Sequence, residues 1–349
     1  MFLPILLVIL AALLFGSASP LSKLILKSIS PFQLAGLLYL GAALGVAPRL
    51  IIKKNFTPLW RIAPRSRWLL IGAISCGGIL GPLALLFGLK IGQASSVSLW
   101  LNLELVFTAL LGHWLFHDHL NKSGWIALTG IAMASVILTG GGGQLAVKSG
   151  LLVALACLLW GFDNHFTALI DGITPSESTF WKGIVAGSVN LGIGLASSPY
   201  GASWQVTGAA LLVGVFCYGV SIVFYITATQ TLGATRGQMF FSTAQFFGMG
   251  LSVLMLGDKI RPVQLMAAGL FIVSLLVLFV GKHSHLHSHR STEHEHWHRH
   301  DDGHHAHRHP GSEPGHGHIH PHEHEGSEHA HPHLPDIHHR HGHGDESSI

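Results

Sequence analysis

The chain has 349 residues, of which 49% are hydrophobic and only 11% charged, with 42 glycines. A soluble domain has about a quarter of its residues charged, which weighs against a water-soluble enzyme. The charge is also divided: residues 1–282 hold 16 Lys/Arg and 6 Asp/Glu, a net +10, whereas residues 283–349 hold 24 of the 28 His, 11 Asp/Glu and 4 Arg, a net −7 with His neutral.

Crossing the hydrocarbon core takes about 20 mostly apolar residues. Ten such runs follow one another at 2–20, 31–52, 68–89, 94–115, 123–140, 149–170, 177–197, 204–229, 234–256 and 262–281. They lack the alternation of barrel strands, so helices are predicted, as lipid gives backbone amides no other partner. The first run resembles a signal peptide but has no positive n-region, its first charge being Lys23, and is read as an uncleaved span. Cys76, Cys157 and Cys217 each lie inside an apolar run and suggest neither a disulfide framework nor a thiolate metal pair. The connection 53–67 contains Lys53, Lys54, Arg61, Arg65 and Arg67. By the positive-inside rule it places both termini in the cytoplasm and the body in the cytoplasmic membrane.

The two halves repeat. Shifted by about 141–145 residues, Phe15-Gly16 falls on Trp160-Gly161, Pro31 on Pro175, Ile91-Gly92 on Leu232-Gly233, Glu104 on Gln245 and Leu115 on Leu256. Five helices per half force the second copy to be inverted, an architecture of secondary transporters with a site near the midplane. The predicted fold class is thus an all-α membrane protein: ten transmembrane helices as two inverted five-helix repeats (1–140 and 149–281), plus a tail, 283–349, too poor in apolar residues to build a core and read as disordered.

Several polar residues fall inside these runs. Glu104 lies at the middle of the fourth, where a carboxylate costs about 2.5–3.5 kcal/mol on insertion scales, so it is expected to face a cavity or a partner. Asn102 is turned about 200° from it on a regular helix and shares a site only if the helix bends. Asp163, Asn164 and His165 are consecutive, so the outer two point nearly opposite ways and do not hold one ion together on an unbroken helix. Gln245, Lys23, Lys182 and Arg236 complete the candidate transport residues. The basic ones are equally read as snorkelling ends. His113 and His117, four apart, present two imidazoles on one helix face, a spacing suited to a divalent ion, though a polar interfacial helix end explains them as well.

The resemblance is to the drug/metabolite transporter superfamily, EamA type, over nearly all of residues 1–281. It rests on the five-plus-five pattern and on Ser19-Pro20-Leu21-Ser22-Lys23, Leu38-Tyr39-Leu40-Gly41, Asn102-Leu103-Glu104 with Val106-Phe107-Thr108-Ala109-Leu110-Leu111, Asp163-Asn164, Lys182-Gly183 and Phe241-Ser242-Thr243-Ala244. It implies a small-solute carrier, usually an exporter, with a central cavity lined by helices 1, 3, 4, 6, 8 and 9. The chain departs from the pattern at His165 and Gln245.

In the tail, histidines alternate: His283, His285, His287 and His289; His294, His296, His298 and His300; His316, His318, His320, His322 and His324; then His329, His331 and His333. Alternate residues of an extended chain share a side, and imidazole suits Ni²⁺, Co²⁺, Zn²⁺ and Cu²⁺, so the tail is the expected metal binder. No cofactor is required and no nucleophile–base pair or phosphate loop suggests an enzyme. An acidic tail implies no nucleic acid. The expected partners are the lipid bilayer and a small solute or metal ion, with a homodimer admitted. The leading expectation is an exporter of a divalent metal whose path Glu104 and Asp163 line. The alternative is an exporter of organic metabolites, amino acids or drugs, with Trp100, Trp160 and Phe240-Phe241 as an aromatic wall.

Overall fold

The computed structural model describes residues 2–53, 57–115, 122–139, 143–170, 172–232 and 240–280, and in the tail the backbone of 284–288, 292–298, 318–324 and 328–332. Ten helical elements cross the body: α1 Phe2–Ile25, α2 Pro31–Lys53, α3 Pro64–Ile91, α4 Ala94–Leu115, α5 Lys122–Thr139, α6 Gly143–Ala168, α7 Pro175–Ser197, α8 from Trp204–Val213 through Ser221–Leu232, α9 Ala244–Leu256 and α10 Pro262–Val280. Among the described residues seven of these are long and apolar enough to cross a membrane. The two shorter apolar helices α9 and α10, and α7 with Glu177 and Lys182 along it, complete the ten expected from the sequence. Side chains such as Trp204 and Leu254, both 81% exposed, project outward where lipid would cover them.

Helix ends extend past the apolar runs because polar residues remain helical once they leave the hydrocarbon. Thus α3 starts at Pro64, a favoured first helical residue, ahead of Arg65 and Arg67, and α6 starts at Gly143, ahead of Lys148. The repeat is visible in these caps. Ser30-Pro31-Phe32-Gln33 opens α2: Ser30 N–H donates to Gln33 Oε1 at 3.1 Å and Gln33 N–H to Ser30 Oγ at 3.3 Å. Thr174-Pro175-Ser176-Glu177 opens α7 with the same reciprocal box. Glu177, almost fully buried, also accepts from the Thr57 N–H at 2.5 Å, pinning the basic 57–67 connection to α7.

The repeat shows again in two irregularities. A π turn interrupts α3 at Ile74–Leu80 and α8 at Gly214–Val220, and two turn residues break α4 at Leu101–Asn102 as they precede α9 at Ser242–Thr243. The α8 π turn has a packing consequence. In α2, Gly41 and Gly45 are four apart, the small-residue spacing that lets membrane helices approach closely. Their contacts on α8 are Gly214 and Gly219, five apart, which an i→i+5 turn brings into line. A Cβ on Gly41 would stand 2.3 Å from the Leu211 carbonyl oxygen. Gly41→Leu is therefore expected to lower stability by about 1–3 kcal/mol, read as a fall in apparent melting temperature in detergent. Gly208→Ala, whose Cβ meets nothing within 4 Å, is the neutral control.

In the tail, β1 Ser284–Ser288 pairs antiparallel with β4 Glu328–Pro332, and β2 Thr292–His298 with β3 His318–His324. Composition, read as disorder, did not foretell this pairing, which rests on backbone bonds between the two strands of each ribbon.

Candidate functional site

The site is organised by α6, whose three consecutive polar residues engage different neighbours. Asp163 accepts from Lys182 Nζ of α7 at 2.5 Å, and Thr167 Oγ1, one turn along α6, donates to Asp163 Oδ1 at 2.9 Å while receiving Lys182 Nζ at 2.8 Å. Asn164 Nδ2 donates to Glu104 Oε1 at 3.0 Å and to Thr108 Oγ1 at 3.1 Å, both on α4. His165 is buried, with Nε2 2.9 Å from the Thr108 carbonyl oxygen. The helical wheel thus separates Asp163 from His165 as expected: one turns to α7 and the other to α4.

The α3 π turn is the other wall. Its Gly77 carbonyl, displaced from regular helical bonding, accepts from Tyr39 Oη of α2 at 2.5 Å and from Trp160 Nε1 of α6 at 3.1 Å. The Gly78 carbonyl accepts from Asn190 Nδ2 of α7 at 3.2 Å. Glycine is required at 77, because a Cβ there would stand 1.9 Å from Asp163 Oδ2. Polar helix defects of this kind occur at functional sites in membranes, where neighbouring side chains satisfy the freed backbone.

An aromatic series continues from Tyr39. Its ring centroid is 6.2 Å from that of Tyr218; Phe15 lies 5.9 Å from Tyr218 and 5.3 Å from Phe241; Tyr225 lies 4.7 Å from Phe241. Glu104 is about 16 Å from the end of α4 at Leu115, at mid-span. Lys182 is only about 10 Å into α7, on the side of the 57–67 connection. Asp163 and Asn164 are consecutive on α6, so the ion pair and the Asn164–Glu104 bond lie at about the same level of that helix.

Of the sequence candidates, Glu104, Asp163, Asn164, His165 and Lys182 are brought together. Others are placed differently. Lys23 does not enter the cluster: its Nζ donates to the carbonyls of Leu89, Lys90 and Gly92 at 2.6, 3.0 and 2.8 Å, closing the C-terminus of α3. This is the favourable end of the helix dipole for a cation. The α4 break does occur beside Asn102, yet Asn102 is buried and its Nδ2 donates to its own Leu99 carbonyl at 2.9 Å, so it does not join Glu104. Trp100 is buried with Nε1 on the Ser135 carbonyl at 3.2 Å, a packing residue and not part of the wall that Trp160 and Phe241 help build. Gln245 is half-buried near the start of α9. His113 packs edge-on against Trp125, ring centroids 5.4 Å apart. His117, Arg236, His283, His289, His300 and His316 lie outside the described residues. The candidates His285, His287, His294, His296, His298, His318, His320, His322 and His324 all fall in the tail strands.

The candidate transport residues read from the sequence do not include Tyr39, Tyr218, Tyr225, Phe15, Thr167 or Gly77, although Tyr39 lies in a stretch that carries the resemblance. A signal existed for the tyrosines: three of the four in the chain lie inside predicted spans, although tyrosine prefers the membrane interface.

Comparison with known proteins agrees with this architecture. The model of the EamA-like transporter family matches twice, over residues 2–140 and 148–280. An uncharacterized transporter of Methanothermobacter thermautotrophicus is 23% identical over 304 residues, spanning 78% of this chain and 84% of that protein. A crystal structure 16% identical in sequence superposes with a TM-score of 0.59 over 79% of this chain and 96% of its own, a likeness of fold.

Proposed function

The chain belongs to the EamA-like transporter family, and from that premise we propose that its body is a secondary-active exporter of a small organic solute bearing a protonated amine. The observation that supports this most is the different treatment of two neighbouring acids. Asp163 is paired with an ammonium, Lys182, whereas Glu104 at mid-span is held by a neutral amide, Asn164. Glu104, when ionised, is left as the net negative charge of the cluster, and the aromatic series that begins at Tyr39, whose hydroxyl shares the Gly77 carbonyl with Trp160, offers a cation π-faces in place of water. In this reading a proton and the cargo ammonium compete for Glu104 as access alternates between the two sides, so uptake of one drives release of the other.

Of the two cargo classes the sequence leaves open, a bare divalent metal is less well served. Such an ion needs several donor atoms at once, and among the described residues of the body no three His, Cys, Asp or Glu converge. The Lys182 ammonium also repels a metal from Asp163. The basic 53–67 connection, which the positive-inside rule assigns to the cytoplasm, orients the body; an inward proton gradient exchanged at Glu104 would then drive cargo outward.

The test uses proteoliposomes of the full chain with a trapped pH dye and an imposed pH gradient. Primary amines and quaternary ammonium probes are expected to evoke proton movement. Proton movement with Ni²⁺, Co²⁺ or Zn²⁺ and silence with every amine would reverse the assignment of cargo.

A further inference from the structure

We infer that the tail is a metal-closed ribbon, in which histidines from two distant segments are matched rung by rung to bind borderline divalent cations of the Ni²⁺, Zn²⁺ or Co²⁺ class. The inference rests on register, and it is independent of the cargo carried by the body. In the inner ribbon His294 faces His322, His296 faces His320 and His298 faces His318; in the outer one His285 faces His331 and His287 faces His329. Every histidine of β1 and β2 faces another histidine. The alternate positions are filled differently: Glu293 faces Glu323, Trp297 faces Ile319 and Leu286 faces Ala330. The ribbons are also in step. The interval from Ser284 to Thr292 on one strand equals that from Pro332 to His324 on the other, so β1–β4 continues the register of β2–β3. A tract that had merely accumulated histidines has no reason to mirror its spacing about a centre.

Facing residues of an antiparallel pair share one side of the ribbon, with Cβ atoms about 4.5–5.5 Å apart, and the next rung but one follows about 6.8 Å further on. Each pair of successive histidine rungs thus brings four imidazole-bearing positions to one patch, the donor type that suits Zn²⁺, Ni²⁺ and Co²⁺. A two-stranded ribbon is marginal in water by itself. Metal binding would therefore supply the free energy that closes it, coupling ion capture to folding. Closure brings Pro332 back beside Ser284, which follows the end of α10 at Val280 by four positions in the sequence.

The experiment uses the full chain in detergent with NiCl₂ or ZnCl₂ as the probe. Calorimetric titration of the native tail is compared with a register variant of identical composition, His318→Ile with Ile319→His and His322→Glu with Glu323→His. Spin labels replacing Ser284 and Pro332 report closure. The native chain is expected to bind with the labels drawing together, and the variant to lose at least tenfold in affinity. Metal binding and closure should both fade below about pH 6.5, as imidazoles protonate. Equal affinity in the register variant, or metal binding that leaves the label distance unchanged, would overturn the inference in favour of binding by histidine number alone.

Discussion

Replacing Glu104 by Gln is expected to reduce gradient-driven cargo flux to that of empty liposomes while leaving the protein folded. The substitution removes the only feature of this side chain that the exchange reaction needs, a charge that a proton or an ammonium can neutralise. It keeps the geometry: an amide oxygen can still accept from Asn164 Nδ2, now 3.0 Å from Oε1, so the change in stability should stay within about 1 kcal/mol. Glu104→Asp keeps the charge but draws it back by one methylene and should retain coupling with weaker binding. Flux is measured with the trapped dye, and folding by apparent melting temperature in detergent. A Glu104→Gln protein that exchanges amine for protons at the native rate would show that coupling lies elsewhere.

How much of this was legible in the sequence depends on the range of the signal. Burial in lipid demands long apolar runs, so the ten helices could be read directly, and proline caps such as Pro31 and Pro175 marked two of their starts. Glu104 stood out because a mid-span carboxylate is costly. Its second-repeat counterpart Gln245 showed that the two halves differ there in charge, as family resemblance alone did not. The partners were less accessible. Lys182 meets Asp163 only because α6 and α7 cross at that level, and the same sequence information fitted a snorkelling end equally well. Lys23 stayed ambiguous for the complementary reason: at a span end a lysine can reach lipid headgroups, a cavity or the carbonyls of a neighbouring helix, and only the fold brings Leu89 and Gly92 within its reach. The π turns have no local signature beyond the Gly77-Gly78 doublet and the wide Gly214 to Gly219 spacing. Both follow from what packs against them, which is a tertiary fact.

The second large effect is on stability, at the Asp163–Lys182 pair. Lys182→Met leaves the Asp163 carboxylate, 14% exposed, with the Thr167 hydroxyl as its remaining hydrogen-bond partner. Breaking such a pair from one side costs about 3 kcal/mol, the low end of the range for buried pairs, because the surviving charge keeps its desolvation penalty without the compensating attraction. Asp163→Asn should cost less, since the Lys182 stem is flexible and its ammonium can turn toward the nearby face. The double variant Asp163→Asn with Lys182→Met removes both charges together and should be more stable than Lys182→Met alone; the positive coupling of this double-mutant cycle measures the pair itself. If the pair only holds α6 and α7 in register so that Asn164 meets Glu104, the neutral double variant should still move amine cargo against a pH gradient. If it loses flux while regaining its melting temperature, the charges themselves take part in the transport cycle.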